Sequence, residues 1–178
     1  MKRNKNLHPL SWEHHHTLTS VVLTRRHIKN CAPRARLVQI AREFAAFHRE
    51  ALLPHFRHEE EWLLPRYLRH ASAGDAAVTR LLREHVTLHR LVYDLTLAER
   101  NSADLVAPLT ALTDALEAHV RFEEREMFPM IEAVLTADEL SSLGEELLRS
   151  VSDAVVIPGG DGCRVKAASE NAPLPDSL

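Results

Sequence analysis

"HFRHEEEWLLP" (residues 55–65) and "HVRFEEREMFP" (residues 119–129) are the two stretches on which the fold turns. His, Arg, Glu-Glu and Pro recur in them at offsets 0, 2, 4–5 and 10. A helix advances about 100° per residue, so position i+4 lies roughly 40° from position i and position i+5 roughly 140° away. His55 and Glu59 therefore share one helix face, as do His119 and Glu123. Glu60 and Glu124 fall off that face and read as solvated. Upstream, "HHTL" (15–18) lines up with "HVTL" (85–88). The chain reads as two copies of a helix pair, with a His on the first helix of each pair and His-x-x-x-Glu on the second.

The rest of the chain fits that frame. Only 5 glycines, little strict alternation and long stretches of 3.6-residue period predict an all-α protein. The first helix is expected over about 9–29, with Pro9 in its first turn. The second runs over about 34–70 and is expected to bend at Pro54. Asp75 caps a third helix that runs to about Arg100. A fourth covers about 103–135, and Thr136 to Glu139 form a capping box that opens a short fifth helix ending near Ser150. Short connections make residues 1–150 an up-down four-helix bundle with a short C-terminal helix. Residues 151–178, rich in Gly, Pro and polar residues with no period, read as a flexible, disordered tail.

The formal net charge of −3 gives no electrostatic case for nucleic acid or an anionic membrane surface. No apolar run approaches the ~20 residues that span a bilayer. A basic start followed by His8 to His16 lacks the apolar stretch of a signal peptide, so a cytoplasmic protein is expected. Cys31 and Cys163 are too few and too scattered for a disulfide framework. Twelve histidines, spread from His8 to His119, are the unusual feature.

Periodicity places several of these histidines inside. In the second helix Phe44, His48, Ala51, His55, Glu59 and Trp62 form one stripe. Leu109, Leu112, Leu116, His119 and Glu123 form another in the fourth. Leu81, His85, Leu88, Val92 and Leu95 share a face of the third, with His89 one turn beyond His85. His8, Trp12, His15, Leu18 and Val22 share a face of the first; His14 or His16 replaces His15 if that helix has a different register. The inward polar set is His15, His55, Glu59, His85, His89, His119 and Glu123. A buried carboxylate without a partner costs several kcal/mol, and no Lys or Arg lies on these stripes to pair with Glu59 or Glu123. Metal cations supply the missing charge and use the imidazole lone pairs. Six or seven donors in two related sets fit two ions. His and carboxylate ligands without Cys suit iron first, then manganese or zinc.

These motifs, with "HPLSWEHHHTL" (8–18) and "REHVTLHRL" (83–91), resemble the hemerythrin-like, or HHE cation-binding, family over roughly residues 7–135. The resemblance implies a four-helix bundle around a non-haem di-iron centre with oxo or hydroxo and carboxylate bridges. It implies His15, His55, Glu59, His85, His119 and Glu123 as ligands. It places His89 where oxygen-carrying members have a fifth histidine. Those members carry an Asp five residues after the fourth-helix His; here Glu123, four residues after His119, is the match, as in the bacterial and regulatory branch. The function expected is binding, sensing or storing oxygen, iron or a related species such as peroxide or nitric oxide. The alternative is a di-iron enzyme that turns over peroxide or oxidises ferrous iron. A metal-free interaction module is the remaining reading. No P-loop, dinucleotide glycine motif or Ser-His-Asp arrangement points to another enzyme class.

Overall fold

A computed structural model describes residues 3–72, 74–150, 155–162 and 164–165. It is a helical bundle whose buried glutamates and most of whose buried histidines gather in one internal belt. A 3-10 turn (Lys5–Leu7), closed by the Asn4 side chain accepting from the Asn6 N–H, leads into α1 (His8–Lys29). Helix α2 covers 34–67 as three α segments, Arg34–Phe47, Leu53–His58 and Leu64–Tyr67, joined by π turns at His48–Leu52 and Glu59–Leu63. Helix α3 (Ala76–Arg100) starts at Asp75, whose carboxylate accepts from the Ala77 and Val78 N–H groups. Helix α4 covers 106–134, with a π turn Glu123–Met127 between Val106–Phe122 and Phe128–Val134. Helix α5 (Ala137–Ser150) opens with a reciprocal capping box: Glu139 accepts from the Thr136 N–H at 2.9 Å, and the Thr136 hydroxyl from the Glu139 N–H at 3.2 Å.

The second helix does not break at its prolines. Each π turn ends two residues before one, at Pro54, Pro65 and Pro129. Proline brings no N–H and crowds the carbonyl four residues back. Widening the preceding turn lets Leu53, Leu64 and Phe128 donate five residues back, to His48, Glu59 and Glu123, so the helix continues. The extra residue rotates the helix face beyond it: Leu63 and Tyr67 are buried, whereas Trp62, expected on the inner stripe, is half-buried.

Helix α1 also has a different register from the one expected. Leu7, Leu10, His14, Thr17, Val21 and Thr24 face in, and Val22 is 64% exposed. The reason is visible in its composition: its inner face carries Ser and Thr, while Trp12, Leu18 and Val22 lie elsewhere, so apolar residues do not mark the buried side.

Helix α1 packs along α4, α4 along α3, and α3 along α2. Two apolar clusters form the core. One contains Ile40, Phe44, Leu88, Leu95, Leu109 and Leu112; the other contains Leu10, Leu63, Leu81, Phe128 and Ile131. Each such side chain, fully buried, contributes roughly 1.5–3 kcal/mol. The polar belt lies between them. Leu140, Leu143 and Leu147 of α5 extend the second cluster.

The chain beyond Ser150, expected to have no structure, is ordered in part. Val155–Val156 pairs antiparallel with Arg164–Val165. Ile157 is buried in the first cluster, the Gly159 N–H donates to Glu43 at 2.8 Å, and His27 donates to the Gly159 carbonyl at 3.0 Å. Gly159 has φ +78°, and a Cβ there would stand 3.0 Å from the Thr24 backbone nitrogen, so glycine is what lets this segment dock. Residues 151–154, Cys163 and 166–178 lie outside the described residues. Among the described residues no helix is long and apolar enough to cross a membrane.

Candidate metal centre

Four histidines and two glutamates meet between the apolar clusters, and all six are buried. His14, His55, Glu59 and Glu123 each bring a donor atom within 4.8 Å of the others; so do Glu59, His85, His119 and Glu123. The two carboxylates belong to both groups. The belt thus holds two adjoining positions, each with two imidazoles, that share Glu59 and Glu123.

The imidazoles are oriented from behind. His14 Nδ1 lies 2.7 Å from Glu124, His55 Nδ1 2.7 Å from Glu13, His85 Nδ1 2.6 Å from Glu60, and His119 Nδ1 2.9 Å from Glu84. An ionised carboxylate only accepts, so each Nδ1 carries the proton and donates it. In the neutral ring that leaves Nε2 as a bare lone pair aimed inward. Carboxylates that hold metal-binding histidines in this way fix both tautomer and ring orientation. Glu124 is itself held, accepting from Ser11 at 2.7 Å and from Arg3 at 2.9 Å. Glu84 accepts from Arg80 at 2.7 Å on its other oxygen.

The inward atoms meet only one another: His14 Nε2 lies 2.9 Å and His119 Nε2 3.0 Å from Glu123, and His85 Nε2 3.3 Å from Glu59. Among the described residues eight buried side-chain polar atoms make no hydrogen bond, and six of them are both oxygens of Glu59, both of Glu123, and the Nε2 atoms of His85 and His119. His14 Nε2 and His55 Nε2 face each other at 3.1 Å. With both Nδ1 atoms donating outward, that contact would set two lone pairs against each other if both rings were neutral. A positive centre between such atoms relieves both the repulsion and the desolvated carboxylates. Ionisation reports the same demand. Burial alone would lower His14, but Glu123 and Glu124 outweigh it and lift its pKa to about 10. Burial likewise opposes protonation of His85, and Glu123, Glu59 and Glu60 raise it to about 10. Glu123, despite its burial, is held well below the usual carboxylate range by His119, His14 and His85. The cavity calls for cations, whether protons or metal ions. The donor set, imidazole plus shared carboxylate with no thiolate, fits a pair of non-haem metal ions.

Of the residues expected at the site, His55, Glu59, His85, His119 and Glu123 come together there. His15 does not: it lies half-buried, edge-on to Trp12, and the preceding residue His14 takes the inward place. The reason is the register of α1. His89 lies outside both groups, with Nδ1 2.8 Å from His48 Nε2. Glu60, expected in solvent, is exposed and still reaches His85, whereas Glu124, also expected there, is half-buried; with Glu13 and Glu84 they are the four carboxylates behind the imidazoles. The signal for these was a repeated dipeptide. Glu13-His14 on α1 and Glu84-His85 on α3 stand in the same relation, and the doubled Glu 59–60 and 123–124 pairs one inward with one outward residue.

No curated protein and no solved structure matches the chain significantly. One family model does: the hemerythrin HHE cation-binding domain, over residues 10–131. That span is most of the chain and contains every residue of the belt, so the chain belongs to the hemerythrin HHE cation-binding domain family.

Proposed function

We propose that this chain is a non-haem di-iron protein, an up-down four-helix bundle that binds, senses or stores oxygen, iron or a related reactive species. The observation that carries the reading is the pair of adjoining four-donor groups sharing Glu59 and Glu123, with six buried atoms that make no hydrogen bond directed at them. Two imidazoles with a carboxylate and free positions are a donor set that non-haem iron takes. Iron bound there would supply a redox-active Lewis acid with coordination positions left for a small ligand.

The protein's own residues do the rest. His14, His55, His85 and His119 present Nε2, and Glu124, Glu13, Glu60 and Glu84 keep the proton on Nδ1. Phe56, stacked on His85 at 4.0 Å between centroids, and Phe128, stacked on His14 at 5.4 Å, wall the cavity with apolar rings that exclude water. The test is aerobic purification with metal analysis, followed by rapid mixing of the reduced protein with O₂. Close to two irons per chain and a stable, reversible optical change are expected. Fewer than one iron per chain with no other metal contradicts the reading, and rapid decay to product would assign an enzyme.

A further inference from the structure

Of the eight histidines that the centre does not use, two lie against each other. His48 lies on the first π turn of α2, and His89 lies one turn beyond His85 on α3. His48 Nε2 and His89 Nδ1 are 2.8 Å apart, with ring centroids 5.1 Å apart and planes at 78°. Both rings are half-buried, whereas the four imidazoles of the centre are sealed. A single buried ring, Phe56, touches both sets: its centroid is 5.5 Å from that of His89, and 4.0 Å and 5.6 Å from those of His85 and His119.

One proton joins the two nitrogens, because one ring donates and the other accepts. Two imidazole nitrogens bound to one ion at ~2.0–2.1 Å, with angles between square and tetrahedral, stand roughly 2.9–3.4 Å apart. Exchanging the shared proton for an ion therefore changes the N···N distance by only a few tenths of an ångström, with each ring turning so that its lone pair meets the ion beside the N···N line. Imidazole suits zinc, copper, iron and nickel, and water would complete the coordination of an ion held by only two side chains. We propose that His48 and His89 form a docking site for a divalent transition-metal ion on the solvent side of Phe56, and that this site supplies the buried centre. A two-ligand site holds its ion loosely, which suits transfer to the donor-rich cavity one ring away. The supply role rests on the di-iron reading of the centre; the docking site itself does not.

The test uses the full chain and the variants His48→Gln, His89→Gln and the double variant, in which glutamine keeps a polar group at the half-buried position. Equilibrium dialysis against Ni²⁺ is expected to show one ion fewer in each variant than in the unaltered chain, and the same loss in the double variant. Anaerobic uptake of Fe²⁺ by the metal-free protein is expected to be several-fold slower in all three, with the final iron content unchanged. Equal Ni²⁺ counts, or equal uptake rates, would overturn the proposal. So would a lower final iron content in His89→Gln alone, which would make His89 a ligand of the centre. A chain that loses its Ni²⁺ in the variants but never takes iron into the centre would refute the centre, and the supply role with it.

Discussion

At the scale of single residues, the decisive contact is the one that neutral chemistry disfavours: His14 and His55 pointing Nε2 at Nε2 across 3.1 Å, each with its other nitrogen committed to a glutamate. His14 rather than His15 occupies this place, and the two residues separate cleanly in a mutant. Replacing His14→Ala should reduce bound metal by at least one ion per chain. It should also cost the metal-free protein about 3 kcal/mol, because Glu123 and Glu124 lose a buried partner. His15→Ala should change neither; metal analysis and thermal unfolding read both. The sequence misleads here only locally. Aligning on Thr-Leu pairs His15 with His85, whereas aligning on Glu-His pairs His14 with His85, and α1 carries one residue more between Glu-His and Thr-Leu. His-x-x-x-Glu was legible because both partners lie in one helix and repeat. The outer carboxylates act across helices, where a single sequence gives spacing but no contact.

At the scale of elements, the two halves repeat in their turns as well as in their ligands. Lys29-Asn30-Cys31-Ala32 and Arg100-Asn101-Ser102-Ala103 end α1 and α3 with the same backbone bonds: Ala32 N–H to the His27 carbonyl, and Ala103 N–H to the Ala98 carbonyl. Cys31 and Ser102 sit at φ 51° and 55°, in the left-handed position that glycine usually takes after a helix. Cys31→Gly should therefore stabilise the protein by about 0.5–1 kcal/mol, read as a midpoint rise of roughly 1–4 °C. The start of α5 offers a pH test. The Glu139 carboxylate is held down to about 2, chiefly by the Thr136 N–H and also by His70. Its folded pKa lies below its ordinary value, so this stabilisation is complete above pH 4.5 and is lost as pH falls toward 2. Glu139→Gln should flatten that part of the stability–pH curve. Helix number, the Asp75 cap and the capping box were readable from local chemistry. The π turns were not. Pro54, Pro65 and Pro129 announce a disturbance, but whether the helix bends or widens is decided by the packing around it.

At the scale of the whole molecule, the four outer contacts close a ring. Glu124 of α4 holds His14 of α1, Glu13 of α1 holds His55 of α2, Glu60 of α2 holds His85 of α3, and Glu84 of α3 holds His119 of α4. Every long helix both gives and receives one clamp, so filling the centre braces all four at once. Metal at 100 times its dissociation constant should stabilise the fold by about 2.7 kcal/mol, a midpoint shift of roughly 5–10 °C that chelation removes. The bundle as a class was legible from periodicity, because burial on a helix face follows a simple angle. The docking of 155–162 was not, since it depends on Gly159 meeting α1 at close range. The central claim is that cations hold two glutamates and four imidazoles inside an apolar bundle. Anomalous diffraction at the iron edge from crystals of the aerobically purified chain tests it most directly. Two peaks are predicted, one among His14, His55, Glu59 and Glu123 and one among Glu59, His85, His119 and Glu123. A well-ordered map with no peak there, or with peaks ligated by His15 in place of His14, would contradict it.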